Sequence, residues 1–508
     1  MTSSVDPISN VLPKGWKIFI IFSLITFLFR CPSLFWPYLD IDEVMWGLLA
    51  NSIVDGSSPY VTIMGEKPPL LYLVYAGVFS IFGKHQYWAV HLLGMLWFSL
   101  TGLSVTYLSR QAGASRLASL WAGVFYLIFA SAPGFRILAT TGELLMNLPL
   151  VLSAYYFLRS FKKQLAWSAF LSGILLLTGS LFRQQGAIQF FAYFIFLFIV
   201  PFNIKAYLTR LGGLLLGMAM AGALCVAYLV KVGSWNDFVY WVFQHNYQYI
   251  LQGFSNHNVL WNFFTQTGHV LLMTAPLWVL VGYRFWKEKK PEMLLWLIFG
   301  FSLLATVPGG RFFPHYFLQA FPTLCILGAL QLEKILSLKN KLERSLFKIT
   351  FLYIVLLVLR LPFIGLEMKL DDTGDYSPAL KVVGHYIKEK TQKQDSIFIW
   401  GWAQGIYYYS ERNPATRFIS SDFLTGRSPR QNENLQFDTR ANINPQSWNQ
   451  LFADFAKQKP TYIIDTSIGN YHDYQRYPLA DFPILQHYLN DHYQLETRLE
   501  NMDLYRLK

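Results

Sequence analysis

Three carboxylates, Asp40, Asp42 and Glu43, fall within the ten residues Pro37–Trp46 that follow the first long apolar run. An unpaired anion beside hydrocarbon is costly, so each needs a partner, water, a metal or a chemical task. A carboxylate near water can take the proton from an attacking hydroxyl. The plainer use is capping, since acids favour helix N-termini and Asp42 fits an N-cap, but one cap does not call for three acids. Later in the same loop, Gly65-Glu66-Lys67-Pro68-Pro69 presents a lysine stiffened by two prolines, suited to a phosphate or to a lipid headgroup. Other ionisable residues lie at the ends of apolar runs: Glu143, Arg183 with Gln184, and Arg311, His315 and Tyr316 in Gly309–Tyr316. Their ordinary roles are a cap for Glu143 and headgroup contact for Arg311 and His315. His91 and His269 fall inside apolar runs and are expected to be internally hydrogen-bonded, and His245 has no ligand spacing. The acids could hold a divalent metal, but their spacing does not fix one.

Membrane helices must position these residues. Of 508 residues, 53% are hydrophobic and 14% charged, which excludes an ordinary soluble domain. Apolar runs of about 20 residues, enough for ~30 Å of hydrocarbon, predict eleven spans: 16–36, 87–109, 117–135, 144–160, 165–182, 186–203, 209–230, 266–284, 292–308, 315–333 and 347–366. With the N-terminus cytoplasmic, the inside loops receive Arg110 and Arg116, then Arg159, Lys162 and Lys163, then Lys205 and Arg210. Arg284, Lys287, Lys289 and Lys290 follow, and last Lys334, Lys339, Lys341, Arg344 and Lys348. The outside connections are poorer in cations, as the positive-inside rule requires. These loops account for the net charge of +12, and no nucleic-acid motif is present. The three cysteines give no disulfide framework. The first apolar run lacks a small-residue cleavage site and is expected to be retained.

An odd number of spans places the tail outside. Residues 1–369 form the membrane part, in which 43–54 and 69–82 are expected to be interfacial helices. Residues 370–508 read as a water-soluble α/β domain. Ser377 caps a helix beginning at Pro378, Ser396–Trp400 and Tyr462–Ile464 are strands, and a helix covers Trp448–Ala456.

The sequence resembles the GT-C integral-membrane glycosyltransferases, in the bacterial branch related to protein O-mannosyltransferases and lipid A aminoarabinose transferases. The resemblance rests on Asp42-Glu43, Glu66-Lys67-Pro68-Pro69, Glu143, Arg311–Tyr316, Trp400-Gly401-Trp402 and Pro414–Ile419. It implies a bacterial inner-membrane enzyme that moves a sugar from a polyprenyl-phosphate donor, with inversion, to a glycan, lipid or protein acceptor outside. Asp42 matches the family's acidic catalytic position, Glu43 its neighbour, and Lys67 a contact to the carrier phosphate. Arg311 and His315 are candidates for the same phosphate, and Asp40, Glu143, Arg183 and Tyr316 for substrate contact. Val44, Met45 and Trp46 stand where aminoarabinose transferases carry an arginine and a tyrosine. A transporter or flippase is the alternative, since many spans with ionisable residues occur there too. Against it, the ionisable residues gather at one face and no inverted repeat is present.

Overall fold

The computed structural model describes residues 12–163, 166–201, 203–254, 259–287, 292–337, 341–370, 375, 377–427 and 439–508. Helices lie within the predicted apolar segments, but length and composition separate them. Among the described residues, Gly15–Leu34, Tyr87–Gln111, Gly142–Lys162, Ile204–Lys231 and Ser345–Glu367 are long and apolar enough to cross a membrane. The shorter helices, among them Arg116–Phe129, Ala166–Ser180 and Met293–Leu304, fall below that length at about 1.5 Å per residue. Lys289, Lys290 and Lys339, counted above as loop charges, lie outside the described residues.

Leu216, Met220 and Leu224 follow one another at helical spacing on an exposed stripe of Ile204–Lys231, an apolar face suited to lipid. The opposite side of that helix packs on Ala166–Ser180 through Gly173 and Gly217. A Cβ on either glycine would come within 2.0 or 2.1 Å of a carbonyl oxygen of the facing helix. Small residues here let two backbones approach in the absence of a hydrophobic drive between them.

The predicted span 266–284 is two helices, Val259–Met273 and Ala275–Lys287, bent by 91°. Pro276 has no N–H to continue the first helix and suits the first turn of the second, and Thr274 carries the break. The two expected interfacial helices form as Ile41–Val54 and Pro69–Phe82. The first is largely covered rather than lying on a surface, because Trp46, Leu48 and Leu49 pack inward and the C-terminal helix Gly405–Ser410 lies against it.

The C-terminal part is built on a mixed sheet with strands β1 (Ser396–Trp400), β2 (Asn413–Pro414), β3 (Tyr462–Asp465), β4 (Tyr493–Leu499) and β5 (Met502–Leu507). Their order is β2-β1-β3-β5-β4, with β2-β1-β3 parallel and β5 antiparallel to both neighbours. β1 and β3 are buried along their whole length, as strands covered on both faces must be. Ser377 caps Pro378–Lys390 as expected. The sheet region docks onto the loops of the helical part: Tyr38 Oη donates to the Asp375 carbonyl at 2.7 Å, and the Met64 N–H to the Arg417 carbonyl at 3.1 Å.

Candidate active site

A cavity of about 1520 Å³ lies between these two parts, with Asp40, Asp42, Lys67, Arg183, His315 and Tyr316 among its lining residues. The start of helix Ile41–Val54 sets the acidic side. Asp40, rather than Asp42, is the N-cap: its extended backbone, φ −142°, lets its carboxylate accept the Asp42 N–H at 3.1 Å. Asp42 is thereby left for the cavity.

Glu43, one residue further round the helix, points elsewhere and does not line the cavity. It is fully buried and accepts from the Leu39 N–H at 2.9 Å, the Thr140 N–H at 2.9 Å and the Tyr75 hydroxyl at 3.2 Å. His91 Nε2 lies 3.1 Å away while its Nδ1 meets the Ser33 carbonyl, the internal bonding expected of this histidine. Burial would raise Glu43, but the adjacent His91 and these hydrogen bonds hold it below the usual carboxylate range. Arg30 holds the same segment from the other side, donating to the carbonyls of Ile137 and Leu138 at 3.2 and 2.8 Å. Glu43 and Arg30 together fix the stretch 133–141, which carries Arg136 to the cavity wall.

The basic side comes from two loops. Tyr60 Oη donates to the Lys67 carbonyl at 2.9 Å, and the Lys67 N–H donates to Tyr72 Oη at 3.0 Å, so the turn before Pro68 is fixed. Lys67 Nζ lies 3.5 Å from Glu66, which His245 also approaches at 3.4 Å. Burial pushes Glu66 up, but these two neighbours bring it down to about 2. Arg183, in the turn after Ala166–Ser180, pairs with buried Glu143 at 2.7 Å and lies over the Tyr316 ring at 4.7 Å. His315 Nε2 is 3.6 Å from the same Glu143 carboxylate.

Burial also raises Asp42, while Lys67 and Arg183 oppose the rise. For Asp40, burial and the nearby Asp42 outweigh Arg136 and push it up to about 8. Of the three acids that could hold a metal, Glu43 is turned away from the cavity and its carboxylate is taken up by hydrogen bonds. Among the described residues no group of three potential ligands converges. The arrangement instead offers one half-buried carboxylate, Asp42, at the same cavity as two cations.

Solved structures share this arrangement of helices and sheet. The chain superposes on ArnT from Cupriavidus metallidurans bound to undecaprenyl phosphate with a TM-score of 0.63, covering 97% of this chain and 98% of that one at 12% identity. It superposes on the Archaeoglobus fulgidus oligosaccharyltransferase, tethered with an acceptor peptide, with a TM-score of 0.52. That match covers 95% of this chain and 72% of that one at 16% identity. Both neighbours are GT-C glycosyltransferases.

The chain has the GT-C fold. No protein-family model and no curated protein sequence matches it, so the likeness lies in the fold rather than in residue-by-residue identity.

Within this fold the cavity gathers most of the sequence-predicted residues but not Glu43, Arg311 or Glu143, which do not line it. Glu143 sits behind Arg183 and fixes it. Arg311 is buried, and its Nη1 occupies the space beside Gly253 and Gly309, where an added Cβ would come within 2.7 or 2.8 Å. Phe312 at φ +51° turns the chain between Arg311 and the cavity-lining Phe313–Tyr316. Gln184 is structural, donating to the Glu66 and Val242 carbonyls at 3.1 Å. His269 lines the far end of the cavity. Sequence reasoning missed Arg136, Asp375, Asp422, Arg427 and His472, all on the cavity wall. Arg136 carried a signal, a lone cation in a connection otherwise poor in cations. The C-terminal four stand in no recognisable spacing.

Proposed function

We propose that this protein is an inverting glycosyltransferase that moves a sugar from a polyprenyl-phosphate carrier to an acceptor hydroxyl on the extracytoplasmic face of a bacterial inner membrane. The observation that carries the reading is the meeting of Asp42 with Lys67 and Arg183 at one cavity, although they are far apart in sequence. The acceptor oxygen attacks the anomeric carbon as the carbon–oxygen bond to phosphate breaks, and the electron pair leaves with the polyprenyl phosphate. Asp42 takes the acceptor proton. The leaving group is already a phosphate, so it needs cations rather than an acid. Lys67 supplies a movable charge and Arg183 a planar one fixed by Glu143 and Tyr316. Arg183 takes the place expected of Arg311, and His315 stands beside it at the same Glu143 carboxylate. Asp40 and Glu43 position: one caps the helix, the other holds the loop that carries Arg136.

This reading keeps eleven crossings, a cytoplasmic N-terminus and an outside region from residue 370, in line with the cation-rich loops. The fold shared with a structure bound to undecaprenyl phosphate supports the donor class. Comparing lipid-linked sugar pools of cells with and without the protein tests it. Loss of the protein should raise one polyprenyl-phosphate sugar and remove one sugar modification; unchanged pools would count against transfer and return a transporter or flippase to first place.

A further inference from the structure

The cavity exceeds what one sugar phosphate requires: pockets for single small ligands run to roughly 300–1,000 Å³, and this one is about 1520 Å³. Lys67 and Arg183 occupy one wall. The C-terminal region builds another from Trp402, Ser420, Asp422, Arg427, Asn444 and His472.

On that second wall the carboxylates of Asp422 and Asp375 are paired, and Asp473 adds a further one. Arg427 Nη1 lies 3.5 Å from Asp422 Oδ1, which also accepts the Tyr474 hydroxyl at 2.6 Å. Nearby, Asp375 is held by Arg136 at 3.0 Å and by His472 at 2.8 Å. An anion placed here would compete with two carboxylates that already hold the described arginines. Two polar atoms are nonetheless left over: Ser420 Oγ and Arg427 Nε are buried and have no hydrogen-bond partner among the described residues. Ser420 is fully buried and the Arg427 side chain is 8% exposed, and both residues line the cavity. A buried polar atom without a partner costs about 1–3 kcal/mol, a cost that a hydroxyl from a ligand removes without adding charge. Beside them the partly exposed Trp402 ring, with Arg427 5.4 Å from its centroid, offers an apolar surface. An aromatic surface, a hydroxyl and an N–H in a setting already rich in carboxylates suit a neutral sugar ring, which is apolar on its C–H face and ringed by hydroxyls.

We infer that this wall is the acceptor subsite and that it takes a neutral carbohydrate, whose free hydroxyl then faces Asp42. The inference rests on the glycosyl-transfer reading and deepens it by naming the acceptor class.

Purified full-length protein in lipid nanodiscs, probed by saturation-transfer NMR with mannobiose, cellobiose and chitobiose and separately by undecaprenyl phosphate binding, tests it. At least one disaccharide should bind and should not be displaced by glucose 1-phosphate. Ser420→Ala and Arg427→Gln should each weaken it about fivefold or more, while undecaprenyl phosphate binds as before. Ser420→Ala changes no charge and keeps the test valid should Arg427→Gln fail to fold. Absence of disaccharide binding, binding indifferent to Ser420→Ala, or displacement by glucose 1-phosphate overturns the inference while intact undecaprenyl phosphate binding leaves the donor reading standing. Failure of the unaltered protein to bind undecaprenyl phosphate overturns that reading itself.

Discussion

Burial raises the carboxyl groups of both Asp40 and Asp42, but the neighbours differ. Lys67 and Arg183 draw Asp42 back toward its charged form, so a base is available there, with a pKa above the ordinary aspartate value. Turnover should therefore fall with an acid limb above about pH 4, and Lys67→Met, by removing the main opposing charge, should move that limb to higher pH. A limb that stays in place or moves down would mean that another group is the base. Asp40 behaves differently. Its folded value of about 8 against 3.8 for the free group means the folded state holds the extra proton between those values. The stability this confers is fully present below pH 3.8 and is lost as pH rises through 8. Asp40→Asn keeps a good N-cap and removes the ionisation. It should flatten the fall in melting temperature between pH 5 and 8, with about 1.4 kcal/mol per unit of displacement as the ceiling. An unchanged fall would show that Asp40 is ionised in the folded protein. The family resemblance pointed to Asp42 as the catalytic acid, but the residue pattern offered the same Asp42 as the helix cap, and it is the extended backbone at Asp40 that makes Asp40 the cap instead.

At the scale of elements, two loops decide which arginine reaches the cavity. The turn after Ala166–Ser180 brings Arg183 over Tyr316, whereas the left-handed Phe312 turns Arg311 back against Gly253 and Gly309. Arg183→Lys should weaken undecaprenyl phosphate binding about tenfold or more, since a lysine cannot reproduce the planar contact. Arg311→Lys should change it little. The reverse order, measured by titration of the purified protein, would restore Arg311 to the phosphate. Sequence pattern could not separate the two arginines, since both follow apolar runs and neither the turn at Phe312 nor the position of Glu143 behind Arg183 leaves a local trace. Helix Pro69–Phe82 was legible because prolines mark its start and Gly83, at φ +99°, follows its end. Strand β1 was legible from its short apolar run. The hairpin of β4 and β5 was not read. Its turn, Glu500-Asn501 with φ of 52° and 58°, has the form that favours two-residue hairpins, but Glu in place of Gly weakens the signal.

For the whole molecule, the helical part brings Asp42, Lys67 and Arg183 to the cavity and the C-terminal part closes it, so the proposed transfer requires both on one side of the membrane. A C-terminal fusion should be active as alkaline phosphatase and dark as green fluorescent protein. The opposite pattern would place the cavity in the cytoplasm. Hydropathy carried the architecture because apolar length is a local property, but the break at Thr274 and the covering of Ile41–Val54 depend on partners remote in sequence. The most direct test uses lipid extract from cells lacking the protein as donor, with release of free polyprenyl phosphate as readout. Purified protein should release it only when acceptor is present, and Asp42→Asn should reduce the rate by roughly 10²–10⁴ while still binding the lipid. Release by Asp42→Asn at the rate of the unaltered protein would contradict the account.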